Sequence, residues 1–335
     1  MEKPTCATFR PTFLPPHRRR RVLLLTLTPF RQTSVSDARH QDSTPNGFAM
    51  TMDPSTSHRS SCEDPHPVNR AFPPRRKLQR DAETPARRVW AISDLHLAQA
   101  GGGNRDYESR RPDHLKRIGD QWRAVVQPSD LVLLPGDVSM AKTHREVQPD
   151  LRWLAGLPGR KVLSPGNHDR WFSSAAAIKS MLRTDQWAVH ATAVQVGGVI
   201  VCGARSAPVP PEDPSDPSNW SAVTCRRLAE LETALEQAQR LRGDHPDAPI
   251  VALWHHPPFD LHRRPGPWVE AMERAGIDWC LYGHLHTEGQ WQAAPGGRIG
   301  TIRYACVAAD ALGFRPLKLW DWETTRPHPN PALAQ

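Results

Sequence analysis

Val89-Trp90-Ala91-Ile92-Ser93-Asp94-Leu95-His96 is the stretch on which the fold turns. Four apolar residues followed by serine read as a strand buried on both faces, and Asp94 marks the point where that strand leaves the sheet. The arrangement recurs downstream. Residues 130–134 form a second apolar run and deliver Gly136-Asp137; residues 161–164 deliver Gly166-Asn167-His168-Asp169. Later, residues 250–254 deliver His255-His256-Pro257, and residues 277–282 deliver Gly283-His284-Leu285-His286. Between the early strands, Leu115, Ile118, Trp122, Val125 and Val126 recur at helical spacing, so a helix over about 112–126 can cover a sheet face. A shorter helix is expected around 151–157.

Strand, polar loop and helix in repeated order are an α/β signature in which side chains from different loops converge beyond one sheet edge. The middle of the chain changes character. Short strands are expected at 187–190, 193–196 and 199–202, with Gly197-Gly198 as a hairpin turn. Residues 205–220 are rich in Pro, Asp and Ser and read as a surface loop. A helix follows over about 221–242, its Leu228, Leu231, Leu235, Ala238 and Leu241 forming one apolar stripe. Residues 299–308 and 316–322 read as strands again. This order fits an α/β fold made of a two-sheet β-sandwich flanked by helices.

Charge divides the chain. Of 43 Lys and Arg and 35 Asp and Glu, 16 basic and 8 acidic residues precede Val89, which leaves 27 of each sign in 89–335. The formal charge of +8 therefore belongs to the first quarter, and the pI of about 9.5 does not mark the rest as a nucleic-acid binder. Residues 1–88 read as a disordered basic Pro/Ser/Arg-rich tail, with too few apolar groups to offset ordering entropy. The domain is expected over 89–323, with 324–335 as a flexible C-terminal tail. Arg18 to Arg21 before Val22 to Leu27 resembles a short targeting segment, but the apolar run meets Pro29 without a small-residue cleavage pattern. No stretch reaches the ~20 continuous apolar residues of a spanning helix. The six cysteines, Cys6, Cys62, Cys202, Cys225, Cys280 and Cys306, lack metal or disulfide spacing and fit a reducing, cytoplasmic setting.

The five polar segments together offer carboxylate oxygen, amide oxygen and imidazole nitrogen. That mixed set suits Zn²⁺, Mn²⁺ or Fe better than Ca²⁺, which takes oxygen alone. Taken one by one they have plainer readings: Asp94 as a helix cap, Gly136-Asp137 as a turn, His255-His256-Pro257 as a loop. Five such segments in fixed order, each after a strand, are not covered by those readings.

Here the chain resembles the calcineurin-like metallophosphoesterase superfamily, through Asp94-x-His96, Gly136-Asp137, Gly166-Asn167-His168-Asp169, His255-x-Pro257 and Gly283-His284-x-His286. It is most similar to a bacterial group of phosphohydrolases within it. The resemblance implies two metal ions, the first held by Asp94, His96, Asp137 and His286, the second by Asp137, Asn167, His255 and His284, with Asp137 bridging. It implies that His168 contacts the phosphate and helps the leaving group. Many relatives carry Asp or His four residues after the Asp of Gly-Asp, where this chain has Ala141, so substrate contacts of lipid-pyrophosphatase type are not carried over.

Around that set, Asp169 is expected to accept a proton from a histidine and fix its tautomer, with a helix cap as its other reading. Arg170 and Arg205 follow strand ends on the same face and are expected to bind nonbridging phosphate oxygens, as are Arg105, Arg110 and Arg111 beside Gly101 to Gly103. His256 is expected in the wall of the site. The expected activity is hydrolysis of a small phosphomonoester, phosphodiester or pyrophosphate, dependent on two Mn, Fe or Zn ions. Alternatives are a cyclic-nucleotide or nucleic-acid phosphodiesterase and a non-catalytic protein-binding scaffold. A near-neutral domain does not favour long DNA, no GxxxxGK[ST] motor segment occurs, and filled ligand positions argue against the scaffold, because clustered His and carboxylates are costly without a cation.

Overall fold

The computed structural model describes residues 84–99 and 113–322, all within one unit. The tail before Thr84, the Gly-rich loop with Arg105, Arg110 and Arg111, Cys6, Cys62 and the C-terminal tail lie outside the described residues.

Two sheets are built from the apolar runs. The first has the order β11-β1-β2-β3-β4, with β1 at Arg88–Ala91, β2 at Leu131–Pro135, β3 at Arg160–Ser164, β4 at Gln186–Ala188 and β11 at Leu317–Asp321. Strands β1 to β4 run parallel and β11 pairs antiparallel to β1. The second has the order β5-β6-β7-β8-β10-β9: β5 at Thr192–Val196, β6 at Val199–Gly203, β7 at Ile250–Leu253, β8 at Trp279–Tyr282, β9 at Gly297–Ile299 and β10 at Ile302–Cys306. Its four central strands are parallel, and β5 and β9 close the edges antiparallel.

The two-residue side-chain period of a strand assigns each sheet's faces. Val89, Ala91, Leu131, Leu133 and Val162 meet Val199, Val201, Val251, Leu253 and Leu281 between the sheets. On the outer face of the first sheet, Trp90, Ile92, Val132, Leu134 and Leu163 pack with Ile118, Trp122 and Val125 of α1 (His114–Val125) and Leu151 and Leu154 of α2 (Gln148–Ala155). A third helical segment, α3 (Ala175–Ile178), is one turn long and capped by Ser174. The outer face of the second sheet packs Ile200, Ile250, Ala252 and Ile302 against Leu231, Leu235 and Ala238 of α4 (Ala222–Asp244) and Trp268 and Met272 of α5 (Pro267–Arg274). The last helix is α6 (Glu288–Ala293).

The expected two-sheet sandwich is the observed fold, and most strand bounds shift by a residue or two. Gly197 and Gly198 stand at φ 61° and 81°, as a tight primed turn between β5 and β6 requires. The chain joins the core slightly before Val89: Ala86 is buried and its N–H donates to Gly197 O at 2.9 Å. Helices α3, α5 and α6 were not among the expected elements. Of these, α3 and α6 span four and six residues, too short for an apolar period to stand out.

Candidate metal centre

The parallel strands that carry the five polar segments, three in the first sheet and two in the second, all end at one end of the sandwich, and backbone hydrogen bonds tie that end together. Asp94 N–H donates to Gly136 O and His96 N–H to Asp137 O, each at 3.0 Å; Gly283 N–H donates to His255 O at 2.9 Å. Ser93 joins the two sheets, donating its N–H to Val307 O at 2.8 Å and accepting from Ala309 N–H at 3.0 Å.

The glycines of the segments are there for close approach. A methyl group on Gly166 would run into the Asp137 carboxylate, its Cβ 2.7 Å from Cγ; one on Gly283 would strike the Asp94 carboxylate and Ser93 Oγ. Gly136, at φ 95°, leaves 2.7 Å between an added Cβ and either His255 Nδ1 or Gly166 Cα, closer than carbon contacts allow. Four residues of the expected ligand set hold left-handed backbone without being glycine: Asp94 (φ 57°), His96 (45°), Asp137 (51°) and His284 (70°). Asp and His tolerate this region better than most residues, yet each position costs on the order of 1 kcal/mol.

The seven expected ligand residues meet. His96 Nε2 lies 3.3 Å from His286 Nε2, 3.7 Å from Asp94 Oδ1 and 3.9 Å from Asp137 Oδ2. His286 Nε2 is 3.3 Å from Asp94 Oδ1. On the other side, His255 Nε2 lies 3.2 Å from Asp137 Oδ2 and 2.9 Å from Asn167 Oδ1, while His284 Nδ1 is 3.0 Å from the same amide oxygen. Ligand bonds of ~2.0–2.2 Å place neighbouring donors roughly 3–3.5 Å apart, so these spacings suit transition-metal ions. Donor atoms of Asp94, His96 and His286 lie within 4.8 Å of one another, as do those of Asp94, Asp137 and His255. Asp137 Oδ2 stands between the two groups, buried and without an aligned hydrogen bond, where a bridging carboxylate oxygen would sit. Its Oδ1 accepts from His168 N–H at 2.8 Å.

Charge at the centre follows from burial and proximity. Burial alone would raise the carboxyls of Asp94 and Asp137, but the surrounding histidines hold both below the usual carboxylate range. Burial opposes a proton on His255, yet the carboxylates of Asp137 and Asp94 outweigh it and raise the ring to about 9. His286 rises to about 10, because hydrogen bonds to Asp310 and Asp94 outweigh its burial. His284 falls to about 4 through burial and the nearby His255. Without metals, protons on His255 and His286 thus balance the two carboxylates. Both rings have folded pKa values above the unfolded ~6.5, so their contribution to stability is complete below 6.5 and disappears as pH rises through 9 and 10. Metal-free protein is therefore expected to lose melting temperature across that window and metal-loaded protein to lose less; parallel thermal melts from pH 6.5 to 10 check this. Identical profiles would contradict the charge balance.

Two supporting residues escaped the sequence reading. Asp310 Oδ2 lies 2.9 Å from His286 Nδ1, the carboxylate–histidine arrangement that orients a metal-binding ring. Its signal was present, a polar residue just past the apolar run 299–308. Asp310→Asn is expected to weaken metal affinity about 10–100-fold with the fold kept, measured by chelator competition; unchanged affinity would remove Asp310 from this role. Ser206 Oγ, the second, lies 2.7 Å from His256 Nδ1.

Other expected site residues stand as follows. His168 is half-buried, its ring centroid 5.3 Å from that of His96, and burial followed by neighbouring rings lowers its pKa. His256 is buried in the wall, its ring centroid 4.3 Å from His284; burial and the facing histidines push it down to about 2, keeping it neutral. Arg170 is exposed on the loop after His168. Two expectations are corrected. Asp169 orients no histidine: its carboxylate turns inward and accepts from Ser139 N–H (2.9 Å), Gly166 N–H (2.9 Å), Val138 N–H (3.2 Å) and Trp171 Nε1–H (3.0 Å), pinning the Asp137 and Asn167 turns to each other. Arg205 braces the same loop, its guanidinium donating to the carbonyls of Gly166, Asp169 and Phe172. With these donors engaged by backbone, Arg205 is not the phosphate clamp expected.

The chain is similar to several known proteins. The chain is 40% identical over 83 residues to the gene 66 protein of Mycobacterium phage D29, covering 24% of this chain and 40% of that protein. It is 28% identical over 155 residues to a probable cyclic nucleotide phosphodiesterase of Rhodopseudomonas palustris, covering 42% and 52%. The matches thus span about half or less of these relatives' length. Among solved structures, the phosphopantetheinyl hydrolase of Mycobacterium tuberculosis is similar at 15% identity and TM-score 0.38, over 71% of this chain and 98% of that one. The sequence profile of the calcineurin-like phosphoesterases matches residues 87–288, and with the five segments gathered at one end of the two sheets, the chain belongs to that family.

Proposed function

We propose that this chain is a dinuclear-metal-dependent phosphoester hydrolase acting on a small phosphorylated molecule. The observation that carries the reading is Asp137 Oδ2, buried without an aligned hydrogen bond between two groups of donors. Asp94, His96, Asp137 and His286 would hold one ion and Asp137, Asn167, His255 and His284 the other, both Mn, Fe or Zn. Bound there, a pair of divalent cations supplies charge neutralisation and a low-pKa water. Asn167 contributes an oxygen without adding negative charge, and His168 borders the centre as the residue to meet a leaving oxygen or a phosphoryl oxygen. Among the described residues, Arg170, exposed beside it, would be an arginine to reach substrate.

Cys202, Cys280 and Cys306 are thiols, and no helix among the described residues is long and apolar enough to cross a membrane. The relative named a probable cyclic nucleotide phosphodiesterase favours diester cleavage as a second reading. Assaying metal-reconstituted protein against monoesters, linear diesters, cyclic nucleotides and nucleotide pyrophosphates tests both readings. Release of phosphate or alcohol from at least one class is expected, and hydrolysis of none would overturn the proposal.

A further inference from the structure

Next to His284 and His256 opens a cavity of about 220 Å³ whose remaining walls are largely apolar, among them Val209, Phe259, Leu261 and Leu285. Among the described residues, no lysine or arginine lines it. Its acidic residue, Asp260, is engaged in its own turn, accepting from His262 N–H at 2.9 Å and from Arg264 N–H and Nε–H at 2.7 and 2.6 Å. Gln290 Oε1 accepts from His286 and Thr287 N–H, each at 3.1 Å. The polar groups of the wall therefore hold the wall together.

That wall is preformed. Phe259 packs edge-on against Tyr304 at 5.1 Å, Trp268 Nε1–H donates to Pro258 O at 3.1 Å, and Trp291 Nε1–H donates to Leu285 O at 2.7 Å. At the tip of the 260–264 turn Leu261 is 86% exposed, an apolar lip beside an apolar cavity. A site that binds an anion at one end and offers mostly carbon at the other selects for a molecule of the same polarity.

Resting on the phosphoesterase reading, we propose that this cavity receives the organic part of the substrate, and that this part is an uncharged apolar group, alkyl or aromatic. A second phosphate or a carboxylate would enter it without a cationic partner and lose its hydration there. Affinity should rise with the apolar length of the organic group, roughly three- to fourfold for each methylene taken out of water.

The test uses the full chain reconstituted with metal and titrated calorimetrically with methyl-, butyl- and hexylphosphonate and with phosphonoacetate, alongside hydrolysis of the matching alkyl phosphates. Butyl- and hexylphosphonate should bind at least tenfold tighter than methylphosphonate, and phosphonoacetate no tighter than methylphosphonate. Ala293→Trp, on an exposed lining residue of α6, should fill the cavity and abolish the chain-length gradient. Equal affinity across the alkyl series, preferred binding of phosphonoacetate, or a gradient that survives Ala293→Trp would each overturn the assignment while leaving the phosphoesterase reading intact where esters are hydrolysed. Neither phosphonate binding nor hydrolysis of any ester would overturn both.

Discussion

Asp137→Ala is expected to lower kcat/KM by about 10³-fold or more and to leave fewer than two metal ions per chain. One side chain serves three neighbours. Its Oδ2 faces His255 Nε2 at 3.2 Å and His96 Nε2 at 3.9 Å, and its Oδ1 holds His168 N–H at 2.8 Å. Truncation removes the bridging oxygen, leaves the two imidazole groups without a shared carboxylate, and frees the turn that carries Asn167. Several kcal/mol of transition-state charge stabilisation depend on such a pair of ions, and each ~1.4 kcal/mol is a factor of ten. Arg170→Ala, which changes an exposed side chain, should cost far less and keep both ions. Metal analysis of the two purified variants with their kcat/KM values decides the matter; two ions retained by Asp137→Ala would refute its placement.

His168→Ala should keep both metal ions and the fold yet lose ~10²–10⁴-fold on alkyl phosphate esters, the usual scale of general acid help. The loss should be much smaller on a nitrophenyl ester, whose leaving oxygen already tolerates negative charge. Burial, helped by the rings of His96 and His255, lowers the His168 pKa from its ordinary value of 6.5. The protonated fraction therefore shrinks as pH rises through a value below 6.5, and the alkyl-ester advantage of wild type over variant should decline in that direction. Equal losses on both ester types would assign His168 to phosphate binding, and loss of a metal ion would place it among the ligands.

Most of the fold was legible because fully buried parallel strands leave apolar runs that end in polar residues, as at Ile92-Ser93-Asp94 and Leu134-Pro135-Gly136-Asp137. That the seven proposed ligand residues converge was legible for the same reason, each lying within a few positions of a strand end; their division between two ions rests on the family resemblance. What stayed hidden depends on which way a side chain turns. Asp169 and Arg205 sit on the active edge as expected, but unpaired N–H groups in the 138–139 and 166 turns draw the Asp169 carboxylate inward. The open carbonyls of the 166–172 loop hold the Arg205 guanidinium in turn. Asp310 was missed for a different reason: its partner His286 is 24 positions away, and only the pairing of β8 with β10 brings them together.

The left-handed backbone at Asp94, His96, Asp137 and His284 bears on how this protein can be altered by selection. Glycine relieves the backbone penalty at each of these positions while removing a proposed ligand, but at Asp94 and Asp137 it also removes the carboxylate that accepts from His284 N–H and His168 N–H. A campaign that rewards heat resistance alone, with metal scarce, would drift toward glycine at 96 and 284 and enrich robust but inert variants. Screening for thermal tolerance in this chain therefore has to score metal occupancy in the same round.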